Sequence, residues 1–427
     1  MALAELIGRY RGTVQPLKWF AIVALAVVVS LIMVVVASIG SSRMQSQAEQ
    51  SALQPFYTPP EPLVGEPGTV IRMEPLGITV PGASAYRMLY VSERPDGTPA
   101  ASGGMLFIPD GPAPAEGRPV VAWAHGTLGM GDACVPSRSD SPIGDMTNWL
   151  DQMMELGWVV TATDYVGLGT PGPNLYLVAQ SEVRDQVNAV RAARNVPEAQ
   201  AGSRYVSFGH SQGGHTSVWT GHLGEEYAPE LDLLGVAAAA PALNLPDIMG
   251  AQWDTAVGWV IGPDVMESWP AYYPDLPMEG LLTSAGADSS ARLAGECIKE
   301  SAIEALVREK LGQQFFAENP STIPAWAAAT KEQTPAPLPP SMPVFIAQGT
   351  ADTVVLPWPN AIVQEQWCAA GSAIEMLWMG GVSHQAAATT AGPQAVVWIA
   401  DRFAGRPAGR TCDVPPPVPA AVPVSSS

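Results

Sequence analysis

Six short apolar runs set the frame for this chain: Pro119 to Ala124, Trp158 to Thr163, Tyr205 to Phe208, Leu234 to Ala239, Val344 to Ala347 and Ile374 to Trp378. Each is rich in β-branched or other apolar residues, the pattern of a strand buried on both faces. Between them lie helical patterns at Met146 to Leu156, Val183 to Ala193, His215 to Glu226 and Ala361 to Ala369, with a last one from Ala395 to Phe403. Strand and helix alternate, so the expected fold is α/β, with a mostly parallel, doubly wound sheet. Ahead of the parallel units, the alternating runs Tyr86 to Ser92 and Gly103 to Ile108 flank Pro95-Asp96-Gly97 and predict an antiparallel hairpin.

One stretch breaks the alternation. Residues 243–340 separate two core strands without a convincing buried strand of their own, and they read as an inserted helical cap. The cap contains Trp253, Trp259, Trp269, Tyr272 and Tyr273, which as a group could line an apolar pocket. It also contains an amphipathic helix with Ile303, Leu306, Val307, Leu311 and Phe315 on one face.

The N-terminus carries a different signal. The uncharged run from Trp19 to Gly40 would rise about 33 Å as a helix, enough to cross a hydrocarbon core of about 30 Å. Arg9, Arg11 and Lys18 precede it, whereas Arg43 is offset by Glu49, so residues 1–18 are expected in the cytoplasm and everything after the run outside. The run is longer than a signal peptide's usual apolar region, yet Ser38-Ile39-Gly40 offers small residues for cleavage, so a retained anchor and a removed signal both stay open. Residues 41–66, with Pro59-Pro60 and Pro62, read as an extended linker, 67–412 as the main domain, and 413–427 as a proline-rich disordered tail.

Charge narrows the partners. With 40 acidic against 21 basic residues and a net charge of −19, the surface repels phosphate backbones, so nucleic acid is excluded as a partner. The four cysteines, Cys134, Cys297, Cys368 and Cys412, form no close pair of the kind that holds zinc or runs redox exchange. In an oxidising compartment they permit two disulfides, and spacing leaves all three pairings open.

The chemistry gathers at Gly209-His210-Ser211-Gln212-Gly213. Among 41 glycines such a match could arise by chance, but here Tyr205 to Phe208 leads in as a strand and Gly213-Gly214-His215-Thr216 leads out as a helix. That strand–turn–helix exposes a serine on a strained backbone, expected at positive φ, and leaves no room for side chains two residues away. A serine hydroxyl needs a base, and the base an orienting acid. Of the five histidines, His125 ends an early strand, His210 lies beside the serine, and His215 and His222 sit on the departing helix. His384 remains, in a glycine-bearing loop after the last strand. Asp352 follows the strand Val344 to Ala347 and lies where open α/β sheets place working residues, so it is the expected acid, with Asp164 the runner-up. Two backbone N–H groups must hold the developing oxyanion. Gln212 is one donor, and the loop Ala124-His125-Gly126-Thr127-Leu128-Gly129 supplies the other from Thr127 or, failing that, Gly126. These residues point to acyl transfer to water with no metal or organic cofactor. A peptidase or an acyltransferase would use the same set.

Assembled in this way, the chain resembles the secretory lipase family, which includes the fungal lipase A type and actinobacterial relatives. The resemblance spans roughly Pro55 to Asp413. It rests on Phe56-Tyr57-Thr58-Pro59-Pro60, Ala122-Trp123-Ala124-His125-Gly126-Thr127, Cys134-Val135-Pro136-Ser137, Thr163-Asp164-Tyr165-Val166-Gly167-Leu168-Gly169 and Gly209-His210-Ser211-Gln212-Gly213-Gly214. It implies an α/β-hydrolase fold with a helical cap, a Ser211, Asp352 and His384 triad, and hydrolysis of the carboxylic esters of acylglycerols. It also implies the bridges Cys134–Cys297 and Cys368–Cys412. Oligomeric state is not legible.

Overall fold

The computed structural model describes residues 46–420. The apolar run 19–40 and the end of the tail, 421–427, lie outside the described residues. Among the described residues no helix is long and apolar enough to cross a membrane.

The chain divides into two compact units, Met1–Pro55 and Phe56–Ser427. Residues 46–57 form a helix, α1, where an extended linker over 41–66 was expected. The physical reason is composition: Gln47, Ala48, Glu49, Gln50, Ala52 and Leu53 are good helix formers, and the Pro59-Pro60 pair lies just past the helix end. Residues 413–420 contain no helix or strand.

In the larger unit nine strands form one sheet: β1 (Val70–Pro75), β2 (Ala83–Glu93), β3 (Pro99–Pro109), β4 (Arg118–Ala124), β5 (Val159–Thr163), β6 (Ala201–His210), β7 (Asp232–Ala239), β8 (Val344–Gly349) and β9 (Ile374–Met379). Their order is β1-β2-β3-β5-β4-β6-β7-β8-β9. The first four in that order pair antiparallel, and β5 through β9 pair parallel. All six apolar runs are parallel strands. Val121 and Trp123 of β4 face one apolar cluster while Val120 and Ala122 face another, so the strand is buried on both sides and no polar alternation could mark it.

Helices cover both faces. On one side α2 (Leu150–Glu155) and α11 (Ala387–Phe403) pack through Trp149, Met153, Ala391 and Ile399. On the other lie α3 (Ala179–Arg194), α4 (Gln212–Tyr227) and α10 (Pro357–Ala370), through Val187, Val190, Val218, Val363 and Trp367.

Between β7 and β8 the insertion holds five α-helices: α5 (Leu245–Gln252), α6 (Ala256–Tyr272), α7 (Ser284–Ala294), α8 (Ile298–Lys310) and α9 (Pro324–Glu332). The insertion has its own core, in which Trp269 stacks on Trp326 at 5.6 Å and Phe315 meets Trp259 edge-on. It is fastened midway and at its return. Midway, the Cys134–Cys297 disulfide joins the start of α8 to the loop after β4, beside backbone bonds from Met130 N–H to Ala294 O (2.8 Å) and Ile298 N–H to Leu128 O (2.9 Å). On the returning side the rings of His215 and His222 on α4 donate to Gln333 O (2.7 Å) and Ala336 O (2.8 Å). The second disulfide, Cys368–Cys412, ties α10 to the segment after α11.

The amphipathic helix expected to run through Phe315 ends at Lys310 as α8, and its apolar stripe is turned outward: Ile303, Leu306, Val307 and Leu311 are 68%, 52%, 55% and 69% exposed, while Phe315, past the helix end, is buried.

Candidate active site

Strand β6 ends at His210, and α4 begins at Gln212, so a single residue makes the turn. Ser211 takes φ 54° and ψ −113°, a left-handed backbone that side-chain-bearing residues rarely adopt. Its N–H donates to Ala239 O at 2.9 Å, which holds the turn against the end of β7. Glycine is obligatory on either side. A Cβ on Gly209 would come within 2.1 Å of Gly213 O, and one on Gly213 within 1.9 Å of Ala124 O.

Two loops at the ends of adjacent parallel strands face this serine. The loop after β8 carries Asp352, and the loop after β9 carries His384. They are stitched together by Thr350 N–H to Met379 O (3.0 Å), Ala351 N–H to Val382 O (3.1 Å) and Gly381 N–H to Thr350 Oγ1 (2.9 Å). The result is a hydrogen-bonded line: Ser211 Oγ lies 2.9 Å from His384 Nε2, and His384 Nδ1 lies 2.8 Å from Asp352 Oδ2. Asp352 is fixed in turn by Val354 N–H on Oδ1 (2.9 Å) and Gln348 Nε2 on Oδ2 (3.3 Å), and Asn360 Nδ2 donates to Gln348 Oε1 (2.6 Å). Burial pulls the His384 pKa below its ordinary 6.5 despite the Asp352 bond, and the neighbouring His210 adds to that pull. At neutral pH the ring is therefore neutral and able to accept a proton.

The other histidines cannot reach the serine hydroxyl. His125 bonds Gly126 O through Nδ1 (2.6 Å), and His215 and His222 hold the returning cap. His210 has a different place. Its Nδ1 meets Asp145 Oδ2 at 3.1 Å, its Nε2 donates to His384 O at 3.1 Å, and its ring centroid lies 4.9 Å from that of His384. Burial alone would lower the His210 pKa, but the Asp145 carboxylate overrides it and the net shift is upward. Asp145 was invisible in the sequence because it lies 65 residues from its partner, in a loop without a motif.

Glu182 is a second residue that escaped notice. It is buried on α3 and accepts from Gln212 Nε2 (2.7 Å), Leu177 N–H (2.8 Å) and Thr216 Oγ1 (2.7 Å), so it fixes the residue that follows the serine.

Asp164 sits elsewhere. Its carboxylate accepts from the Ser137 N–H (3.1 Å) and from the Ser137 hydroxyl, whose oxygen also meets Tyr57 Oη at 2.6 Å; Arg138 lies over the Tyr57 ring at 4.6 Å. Three of the quoted motifs thus converge on one buried network away from His384, which explains their joint presence without a reacting group. Burial pushes the Asp164 pKa up to about 6.

Two cavities meet at Ser211. A narrow apolar one of about 90 Å³ runs under the cap, lined by Thr127, Gln212, Ile248, Trp253, Val265 and Trp269 among others. A wider one of about 460 Å³ opens past His384, along Gly126, His210, Val260, Ala302 and Leu306. Of the five cap aromatics, Trp253 and Trp269 line the narrow cavity. Trp259 instead packs on Phe315 under Arg308, Tyr273 bonds Gln333, and Tyr272 borders a separate surface hollow. Gln212 is the first residue of α4, so its N–H lacks an intrahelical acceptor, and Thr127 is held by a 2.7 Å bond from its hydroxyl to that of Tyr176. Among the described residues no group of three or more His, Cys, Asp or Glu side chains converges as a metal site would require.

Comparison with known proteins agrees with this picture. The family model described as secretory lipase matches residues 144–411, which include Ser211, Asp352 and His384. Lipase 10 of Candida albicans is 24% identical over 394 residues, covering 84% of this chain and 82% of its own. A probable inactive lipase of Mycobacterium tuberculosis is 23% identical over 377 residues, covering 83% of this chain and 82% of its own. Among solved structures, Candida antarctica lipase A superposes with a TM-score of 0.66 at 19% identity, covering 86% of this chain and 89% of its own. A match over more than half the sequence, on an α/β-hydrolase sheet braced by two disulfides, means that the chain belongs to the secretory lipase family and is an extracytoplasmic, lipase-like carboxylic ester hydrolase.

Proposed function

We propose that Ser211, His384 and Asp352 hydrolyse the carboxylic esters of acylglycerols through an acyl-enzyme. The observation that carries this reading is the continuous hydrogen-bonded line from Asp352 through His384 to a serine held at positive φ beside an apolar cavity. His384 takes the Ser211 proton as the oxygen attacks the ester carbonyl, and Asp352 stabilises the imidazolium that results. The Gln212 and Thr127 N–H groups hold the oxyanion, each worth about 3 kcal/mol to the transition state. His384 then returns its proton to the leaving alcohol, so the alcohol occupies the wider cavity on the His384 side and the acyl chain the narrow one under the cap. Water, activated by His384, releases the acid.

On the same reading, residues 67–412 are the catalytic domain and 243–340 its cap. The run 19–40 carries the domain across a membrane, as a retained anchor or a removed signal. The mass of the mature N-terminus distinguishes the two.

A series of p-nitrophenyl esters of rising acyl length tests the substrate class, with Ser211→Ala alongside. Wild type is expected to cleave long as well as short esters, and the variant to lose at least about 10³-fold in kcat. Activity that collapses beyond the shortest chains would leave an esterase but contradict the acylglycerol assignment. The relative described as a probable inactive lipase favours one further reading, ester binding without turnover. Full hydrolysis in wild type sets that reading aside.

A further inference from the structure

The two cavities that meet at Ser211 differ in what their walls leave unpaired. On the narrow wall the hydroxyl and amide side chains are spent within the protein: Thr127 and Tyr176 share a 2.7 Å bond, Gln212 Nε2 donates to Glu182 (2.7 Å), and Gln252 Nε2 donates to Thr353 O (2.8 Å) and Val354 O (2.9 Å). Such a wall suits hydrocarbon and offers a hydroxyl nothing to bond. The wider cavity has an apolar flank of Val260, Ile261 and Ala302, but its polar side chains Asp145, Lys299, Thr353 and Gln385 keep hydrogen-bonding capacity that the described residues do not use.

Asp145 is tied to the reaction centre through His210. Its Oδ2 meets His210 Nδ1 at 3.1 Å, and His210 Nε2 donates to His384 O at 3.1 Å. Both ring nitrogens of His210 face oxygen acceptors, so both carry protons, and the ring is the cationic partner of an ionised Asp145. Burial alone would raise the Asp145 pKa, but the His210 bond and charge override it and hold the carboxyl below its ordinary value. Oδ1 is left without a donor, on a side chain that lines the cavity and is 35% exposed. A carboxylate oxygen can only accept, so the missing partner is a donor. His210 already pairs the charge, which favours a neutral hydroxyl over a cation. Asp145 itself and a net charge of −19 disfavour an anion. Because the alcohol leaves on the His384 side, that hydroxyl belongs to the alcohol half of the ester.

We propose that the wider cavity selects esters of a small neutral polyol of the glycerol class that keeps free hydroxyls, and that the unshared Oδ1 of Asp145 accepts one of them. Partial acylglycerols are then better substrates than fully acylated ones, whose capped oxygens would leave the carboxylate buried without a donor. The proposal rests on the ester-hydrolase reading.

An alcohol that leaves by this cavity also enters by it. The incoming alcohol oxygen attacks the acyl-enzyme carbonyl, His384 takes the hydroxyl proton, and that proton passes to Ser211 Oγ as it leaves, giving a new ester and free enzyme. The full chain is therefore supplied with dissolved p-nitrophenyl butyrate and equimolar glycerol and propanol, and the initial rates of glyceryl butyrate and propyl butyrate formation are compared in one vessel. Nitrophenol release reads the ester-hydrolase chemistry, and the product ratio reads the alcohol site, since losses common to both alcohols cancel in it. Glycerol is expected to win at least about tenfold. Asp145→Ala should cut the ratio at least about fivefold even where turnover falls for both alcohols, a change that a merely structural role would not produce. If Asp145→Ala is inactive, Lys299→Met, at an exposed position of α8, carries the test with a cut of at least about threefold. Nitrophenol release with propanol equal or preferred, an unchanged ratio in the active variant, or glycerol phosphate taken in preference to glycerol would each overturn the proposal while ester hydrolysis stands. No nitrophenol release in wild type would overturn the hydrolase reading and this proposal with it.

Discussion

The rings of His384 and His210 lie 4.9 Å apart and tilted by 37°, the first the base of the proposed mechanism and kept neutral by burial, the second held toward its charged form by Asp145. Activity requires His384 unprotonated, so it is lost as pH falls through the His384 pKa. Because burial lowers that pKa, the acidic limb of kcat/KM is expected below the ordinary histidine value of about 6.5. Replacing His210 by Gln removes a positive charge that disfavours the His384 imidazolium, so the acidic limb should move to higher pH. It also removes the bond to His384 O, so kcat should fall by about tenfold. A pH profile of His210→Gln that is scaled down but not displaced would leave His210 a merely structural role.

At the scale of elements, the Cys134–Cys297 disulfide and the Leu128 and Met130 backbone bonds tie the cap to the same loop that presents Thr127. With Thr127 as the proposed oxyanion donor, cap position and oxyanion geometry are mechanically linked. Breaking this bridge with Cys134→Ser and Cys297→Ser is expected to cost about 2–5 kcal/mol in denaturant unfolding, and to lower kcat on long-chain esters more than on acetate. Equal losses on both substrates would detach the cap from acyl-chain handling. What the sequence disclosed about elements follows from how local their causes are. The parallel strands and the serine turn depend on neighbours within a few residues, so runs and glycines marked them. The direction of the α8 stripe and the burial of polar residues on α3 were not legible for one shared reason: helical spacing shows that a helix has two faces, not which one meets protein. Glu182, Asp185 and Gln186 are buried on α3, whereas Ile303 and Val307 stand in water on α8. Asp145 and Glu182 act through partners 65 and 30 residues away, a distance no local pattern bridges.

For the molecule as a whole, acid is a mild stabiliser. Burial raises Asp164 to about 6 and Asp185 to about 7, so the folded state holds these protons more tightly than the unfolded chain. A raised folded pKa contributes stability that is complete below the ordinary carboxylate value and is lost as pH rises through the folded value. Here that window runs from about pH 4 to 7. Lowering pH also relaxes the self-repulsion of a net charge of −19. The thermal midpoint should therefore rise between about pH 7.5 and 5.5, and a midpoint that falls steadily over that interval would contradict the placement of both carboxyls in a dry interior.

The central claim is that one serine, activated by one histidine, carries the reaction. It is tested most directly by mapping the adduct of a fluorophosphonate on the full chain by peptide mass. The account predicts a single modified residue, Ser211, no adduct in Ser211→Ala, and labelling at least about 10³-fold slower in His384→Ala. An adduct on any other residue, or undiminished labelling of Ser211→Ala, would contradict it.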